Sequence, residues 1–225
     1  MMERGDLRTF HEPFLYLYYV GDAKKKLVHF DPQPSHPTSY VGIREMLLRA
    51  AEEQPVFVKD MCYYVIDYIL ADDEFLQRAR NTFLIRDPGR AVASYYKLDK
   101  TFTLEEVGIE AQCRVFDKVR ALTGEIPIVL DAQDLQQDAD ATVHAYCQAL
   151  GIEHRATAMH WDGPLPKDWQ FVAGWHTSVA GSTGITQPAQ AAPVDLDADP
   201  KLRNSYDYHL PFYRQMYRHK LNPNA

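Results

Sequence analysis

The stretch FLIRDPGRAVASYYKL, residues 83–98, decides the fold. Together with Thr82 it begins as the apolar run TFLIR, which is typical of a buried β-strand. Asp87 and Pro88 suit a helix start, because aspartate can cap free N–H groups and proline lacks the N–H that would stay unpaired there. The stretch therefore predicts a strand over residues 82–86 that passes directly into a helix beginning at Pro88.

Arg86 and Ser94 are the polar side chains of this stretch that could hold a ligand. Arg86 lies at the carboxyl end of the predicted strand, where open α/β sheets bind ligands, and beside the positive end of the helix dipole. Ser94 lies roughly two turns into the helix. An arginine fork with a hydroxyl group suits a phosphate dianion. The alternative is an arginine paired with a carboxylate and a serine on a solvated helix face.

Outward from this stretch, short apolar strands alternate with helices. Further strands are predicted over Leu7–His11, Pro55–Lys59 and Ile126–Leu130. Helices are predicted over residues 40–53, 61–79, 103–124 and 138–150, and Thr103-x-x-Glu106 forms a capping box at the start of the third. This alternation is typical of a mostly parallel sheet flanked by helices. The predicted fold class is therefore α/β with three layers.

Composition and charge narrow the class of protein. The chain has 225 residues, 46% hydrophobic and 24% charged, which fits a single domain over residues 1–225 with a sizeable core. Its net charge of −7 argues against a surface that coats nucleic acid. The sequence has no apolar run near the roughly 20 residues of a membrane span, and MMERGDLRTF has no signal-peptide core. We therefore expect a soluble, cytoplasmic protein without nucleic-acid or membrane partners.

The C-terminal part of the sequence is less regular. Residues 160–200 are rich in Gly, Pro, Trp, Ser and Thr and have little periodicity, which indicates a covering loop or a partly disordered segment. An aromatic-rich helix is predicted over residues 201–221. The aromatic clusters at 14–19 and 206–217 are interpreted as core, with a pocket for an aromatic or lipid-like acceptor as the alternative.

Segment 83–98 resembles the 3′-phosphate-binding motif of the sulfotransferase superfamily, a strand followed by R-[DN]-P-x-x-x-x-x-S-Y-Y. The matching residues are Arg86, Asp87, Pro88, Ser94, Tyr95 and Tyr96. In that family the arginine and the serine hold the 3′-phosphate of 3′-phosphoadenosine 5′-phosphosulfate (PAPS). The resemblance therefore implies the P-loop NTPase-like sulfotransferase fold, PAPS as co-substrate, and these roles for Arg86 and Ser94. Weaker resemblance extends over residues 3–14, 56–61, 126–135 and 174–184.

Sulfuryl transfer needs a base for the acceptor and a cation for the leaving phosphate. VFVKDM (56–61) resembles the strand in which many family members carry a lysine near the sulfuryl group, which makes Lys59 the candidate cation. The candidate bases are His11, Glu12 and, because the histidine that often follows that lysine is absent, Asp60. Structural alternatives remain: a structural histidine, a glutamate paired with arginine, and a surface lysine.

The remaining candidates lie in GWHTSVAGSTG (174–184), a run that resembles one found near the co-substrate in this family. By resemblance Trp175, His176, Ser182 and Thr183 would form part of a lid over the co-substrate, and a packed loop is an equally good interpretation. We expect no metal, because neither cysteine nor carboxylate stands at ligand spacing around His154 and His160.

The sequence thus predicts a sulfotransferase that moves a sulfuryl group from PAPS to a hydroxyl or amine of a small molecule. One departure is the glycine-rich phosphate loop that the family carries upstream, which does not occur after Met1. A late start, a truncation or a degenerate relative would explain this, so a non-catalytic binding protein is the alternative. A nucleotide kinase ranks last, because the sequence has no Walker loop. The sheet edge left by a missing strand would be compatible with a homodimer.

Overall fold

The computed structural model describes residues 1–27, 30–162, 169, 171–172, 174, 181–185 and 194–223. The chain divides into two compact units. The first unit comprises Met1–Tyr68 and Arg155–Gly184, and the second comprises Ile69–His154 and Ile185–Ala225. The single domain expected over residues 1–225 stays a prediction.

The strands are short and the helices dominate. The strands are β1 (Arg8–His11), β2 (Val56–Lys59), β3 (Thr82–Ile85) and β4 (Ile128–Asp131). The α-helices are α1 (Tyr40–Glu53), α2 (Cys62–Ile69), α3 (Asp73–Arg78), α4 (Pro88–Leu98), α5 (Leu104–Val107), α6 (Ile109–Thr123), α7 (Ala132–Gln137), α8 (Ala139–Leu150) and α9 (Pro200–Tyr217). A short π-helix covers Leu17–Gly21, and short 3-10 helices cover Met2–Arg4, Ala156–Met159 and Leu196–Ala198.

In the first unit, β1 and β2 form a parallel pair. His11 lies beside Lys59 in their register, so both strands end at the same edge. The helix between them in the chain, α1, has the predicted bounds, and its first turn is capped where Gly42 N donates to Ser39 Oγ at 3.1 Å. This arrangement brings the residues that follow β1 next to those that end β2.

Aromatic side chains fill the core of the first unit. Tyr16 is 1% exposed and stacks on His36 with ring centroids 3.8 Å apart. Phe14 is also buried and stacks on Tyr40. Buried rings in stacked and edge-to-face pairs stabilise a core beyond the area that they bury. The interpretation of residues 14–19 as core is therefore confirmed.

In the second unit, β3 and β4 form another parallel pair, with Ile85 beside Asp131. The end of the chain runs along β4, where Leu221 N donates to Val129 O at 2.7 Å. After β3 the chain enters α4 as predicted, since Arg90 N donates to Asp87 Oδ1 at 3.0 Å and Pro88 occupies the first turn. Helix α9 packs against α4 and α6, and it ends at Tyr217 rather than at residue 221.

Two predicted helices are each divided in two, and the α-helix α7 was not predicted. The helix expected over 103–124 is interrupted at Gly108, whose φ of 79° is left-handed and separates α5 from α6. Glycine adopts this conformation without the steric cost that a side chain would add. The helix expected over 61–79 is divided into α2 and α3 by a turn that Asp72 caps. The missed helix is α7, which begins where Asp131 caps its first turn.

The α/β class is confirmed, because every described strand pair is parallel and helices connect the strands. The described strands form two two-stranded sheets, so the predicted three-layer arrangement, one sheet flanked by helices, stays a prediction. Much of the covering loop expected over 160–200 lies outside the described residues. A search of the described helices finds none with the length and apolar character needed to cross a membrane.

Candidate functional site

Glu12 and Lys59 form an ion pair at the carboxyl ends of β1 and β2. The strand register brings them together, because His11 lies beside Lys59 and Glu12 N donates to Lys59 O at 2.7 Å. The Lys59 ammonium donates to Glu12 Oε1. The Glu12 side chain is only 10% exposed, whereas that of Lys59 is 45% exposed. A largely desolvated carboxylate therefore lies against a cation that still reaches solvent.

The backbone of Glu12 is in an unusual conformation. Its φ is 50°, in the left-handed region that residues with a side chain rarely adopt. This conformation costs roughly 1–2 kcal/mol for an L-residue. Backbone strain of this kind persists only where the surrounding structure holds it in place, and it concentrates at functional sites. The sequence pattern gave no sign of this turn after β1.

Asp60 follows Lys59 directly in the chain, just after the end of β2. Phe14 N donates to Asp60 Oδ2 at 2.8 Å, and Met61 N donates to Asp60 Oδ1 at 2.8 Å. Burial raises the pKa of Asp60 to about 8, and the nearby negative charge of Glu12 also raises it. The two backbone N–H bonds and Lys59 lower that pKa in part. The ionised form of Asp60 is the one whose two oxygens can accept both of these backbone N–H bonds.

His11 belongs to the same edge of the first unit. Its imidazole ring stacks on the indole of Trp169, with ring centroids 4.4 Å apart and the planes inclined by 22°. His11 is half-buried, as is Trp169. The four candidates for base and cation, His11, Glu12, Lys59 and Asp60, thus follow one another along the ends of β1 and β2.

Arg86 and Ser94 lie in the second unit, at the end of β3 and on α4. The Arg86 residue as a whole is exposed to solvent. Partial desolvation nevertheless lowers the pKa of its guanidinium, and the positive charge of Arg90 lowers that pKa further. A guanidinium stays protonated despite such shifts. Within the described part of the chain, the Arg86 and Ser94 side chains have no hydrogen bond or ion pair. The arrangement leaves their donors available to an anion.

Arg90 is a further cation at the start of α4 that the sequence reasoning did not single out. It lies in the first turn of α4, and its charge acts on Arg86. The available signal was its spacing, since Arg90 stands four residues before Ser94 and so shares a helix face with it. Two like charges that repel each other in the free protein gain from binding an anion between or beside them. Arg90 therefore extends the basic character of this helix start.

The lid residues are only partly described. Trp175 and His176 lie outside the described residues. Ser182 and Thr183 belong to the first unit, where Trp161 N donates to Thr183 O at 3.1 Å. This backbone bond holds Thr183 next to the segment around Trp161. A role for these four residues in binding a co-substrate stays a prediction. A search of the described residues finds no group of three or more His, Cys, Asp or Glu side chains that could hold a metal ion.

The chain thus has parallel strand pairs, a basic helix start after β3 and an acid–lysine pair after β1. A family model described as a sulfotransferase domain matches residues 1–220. The chain therefore belongs to the sulfotransferase domain family, as the motif in residues 83–98 indicates.

Two curated plant proteins are also similar to part of the chain. Branched-chain-amino-acid aminotransferase-like proteins 1 and 2 of Arabidopsis thaliana are 31% and 28% identical to it over 116 residues. These matches cover 51% of this chain and 20% of each relative, so the chain corresponds to about a fifth of their length. No solved structure matches the chain significantly.

Proposed function

We propose that this protein is a sulfotransferase that transfers a sulfuryl group from PAPS to a hydroxyl or amine of a small molecule. The observation that carries the proposal is the family match over residues 1–220, which includes the motif around Arg86 and Ser94. The names of the two plant relatives describe proteins of which this chain matches a fifth. Their aminotransferase-like designation therefore adds no second candidate.

The donors at the start of α4 fit a phosphate dianion. Arg86 and Ser94 lack partners within the described residues, and Arg90 adds a second guanidinium close enough to affect Arg86. The first N–H groups of α4 and its helix dipole favour an anion at the same place. In the proposed function, Arg86 and Ser94 hold the 3′-phosphate of PAPS, and Arg90 adds positive charge there.

The Glu12–Lys59 pair supplies the chemistry that the transfer requires. PAPS provides the sulfuryl group: its bond from sulfur to the 5′-phosphate oxygen breaks, and a bond from sulfur to the acceptor oxygen or nitrogen forms. Glu12 takes the proton that the acceptor loses, which its carboxylate can do as a general base. Lys59 offsets the negative charge that develops on the phosphate oxygen. The withdrawal of Glu12 from solvent, with 10% of its side chain exposed, strengthens its interaction with Lys59.

Calorimetric titration with the product nucleotide, 3′-phosphoadenosine 5′-phosphate (PAP), tests the nucleotide part of the proposal. We expect micromolar binding by the wild type. Arg86→Ala should weaken it by roughly 1.5–3 kcal/mol, as expected for a hydrogen bond to a charged group. The matched control is Arg78→Ala, since Arg78 is a half-exposed arginine of the same unit that pairs with Glu74. Equal PAP affinity of Arg86→Ala and the wild type would contradict the assignment.

A transfer assay tests the reaction itself. The wild type is incubated with radiolabelled PAPS and a panel of small hydroxyl and amine acceptors, and labelled product is separated. Product that depends on both PAPS and acceptor supports a sulfotransferase. PAP binding without transfer to any acceptor favours the alternative, a non-catalytic binding protein of the same family. A folded protein that shows neither PAP binding nor sulfuryl transfer would contradict the proposed function.

A further inference from the structure

The Asp60 carboxylate joins the turn that follows β1 to the turn that follows β2. Its Oδ2 accepts a hydrogen bond from Phe14 N, two residues beyond Glu12, and its Oδ1 accepts one from Met61 N, both at 2.8 Å. Each carboxylate oxygen is thus directed at a backbone N–H of the protein itself. A group with both oxygens engaged in this way is suited to holding a turn rather than to collecting a proton from a substrate.

Glu12 is fixed on both sides by these contacts. Before the turn, Glu12 N donates to Lys59 O at 2.7 Å. After the turn, Phe14 N is held by Asp60. Between the two tethers Glu12 has a φ of 50°, which an untethered chain would relax. The side chain of Glu12 leaves this turn toward the Lys59 ammonium, so the orientation of its carboxylate depends on the turn being held.

We propose that Asp60 is a positioning residue that holds the turn carrying Glu12 and keeps the Glu12 carboxylate against Lys59, so that Glu12 rather than Asp60 accepts the proton from the acceptor. This inference rests on the proposed function for the role of Glu12. It assigns different tasks to two carboxyl groups that the sequence offered as alternative bases.

The charges around Asp60 agree with this division. The groups that act on it or on its neighbours are Glu12 after β1, Lys59 at the end of β2, and Cys62 and Tyr64 of α2. Burial raises the pKa of Asp60 to about 8, while it raises the pKa of Cys62 to about 12 and that of Tyr64 well above its usual value. Among these four neighbours, Lys59 carries the one positive charge, and its ammonium is paired with Glu12. Lys59 therefore offsets the charge of Glu12, whereas Asp60 is held by two backbone N–H groups.

Asp60→Asn is the informative variant. An amide has one acceptor oxygen and an NH₂ group, so it can accept only one of the two backbone N–H bonds. We expect kcat to fall about 100-fold, because a displacement of about 1 Å in a reacting group can cost that much. The KM for PAPS should change less than about twofold, because the lost interaction acts only in the transition state. We expect the wild-type pH profile to bend near pH 8, where Asp60 titrates, and this bend to be absent from Asp60→Asn. Asp67→Asn is the control, because Asp67 is exposed in the same unit and pairs with Lys24.

NMR of the wild type provides a measurement that needs no variant and no turnover. The Phe14 amide should be protected from exchange, and its proton shift should titrate with the midpoint of Asp60, near pH 8. A Phe14 amide that exchanges freely or ignores this pH range would overturn the tether. Full kcat in a folded Asp60→Asn protein would overturn the positioning role, as would an inactive Asp60→Asn beside an active Glu12→Gln. A wild type that binds no PAP and transfers no sulfuryl group contradicts the proposed function instead, and the Phe14 result still decides the tether.

Discussion

Tyr213 Oη donates a hydrogen bond to Asp131 Oδ2 at 3.0 Å and thereby ties α9 to the end of β4. Asp131 is 3% exposed, and its Oδ1 accepts from Gln133 N at 2.7 Å to start α7. Burial, and then the negative charge of Asp131, raise the pKa of the Tyr213 phenol, so the phenol remains a donor at neutral pH. One carboxylate thus holds a strand end, a helix start and the C-terminal helix together.

Replacing Tyr213 by phenylalanine should destabilise the second unit. The variant leaves the buried Asp131 carboxylate with one hydrogen bond fewer, and such a loss costs roughly 1–3 kcal/mol. Urea unfolding followed by circular dichroism measures the change in the free energy of unfolding. Tyr217→Phe is the control, because Tyr217 lies on the same helix and is 42% exposed. Equal destabilisation by both variants would mean that the Asp131 bond is not the cause.

Replacing Glu12 by glutamine should abolish most of the transfer and leave PAP binding unchanged. Glutamine keeps the size of the side chain but cannot take a proton, and general bases contribute about 10²–10⁴-fold to rates. Steady-state kcat and calorimetric PAP affinity are the measurements. Glu53→Gln is the matched control, since Glu53 is 73% exposed and pairs with Arg8 in the same unit. Wild-type kcat in Glu12→Gln would assign the base to another group.

Arg90→Ala should weaken PAP binding less than Arg86→Ala does. Arg90 contributes charge near the proposed 3′-phosphate, and two unit charges about 4 Å apart in water interact with about 1 kcal/mol. The loss should be about fivefold in Kd and should shrink as salt is added. Calorimetry at low and high ionic strength tests this. A loss that does not depend on salt would indicate a packing defect in α4 rather than a lost charge.

Stability should fall in mild acid because of His209. This residue is fully buried in α9, its Nε2 bonds to Leu104 O at 2.9 Å, and its buried Nδ1 has no partner within the described residues. Burial lowers the pKa of His209 below its usual value. Between the lowered folded pKa and the unfolded value of about 6.5, only the unfolded chain binds the proton. The contribution of His209 is therefore complete above about pH 6.5 and is lost as pH falls below that value.

The variant His209→Gln isolates this effect, because glutamine can still donate to Leu104 O but does not titrate. The difference in unfolding free energy between wild type and variant should favour the wild type more at about pH 7.5 than at about pH 5.5. His144→Gln serves as the control, since His144 is exposed on α8. A difference that stays constant with pH would show that His209 does not titrate on unfolding.

Local features of the sequence anticipated much of the secondary structure. Caps and turns act over three or four residues, so the start of α4 at Asp87 and the capping box of α5 at Thr103 could be predicted from neighbouring residues alone. The break at Gly108 could not, because a glycine within a helical pattern is compatible with both continuation and interruption. Which of the two occurs depends on the packing of α5 and α6 in the core around Phe102 and Val107.

The candidate site was anticipated in its residues but not in its contacts. The sequence alone determined the parallel α/β class, the strand and helix around Arg86, and the family, since each is written in residues close together in the chain. The pairing of Glu12 with Lys59 and of Phe14 with Asp60 joins residues 47 and 46 positions apart. Such contacts depend on strand register, and a shift of one residue would send each side chain to the other face. Only the tertiary structure therefore decided that the Glu12 carboxylate contacts Lys59 while the Asp60 carboxylate accepts from Phe14 N.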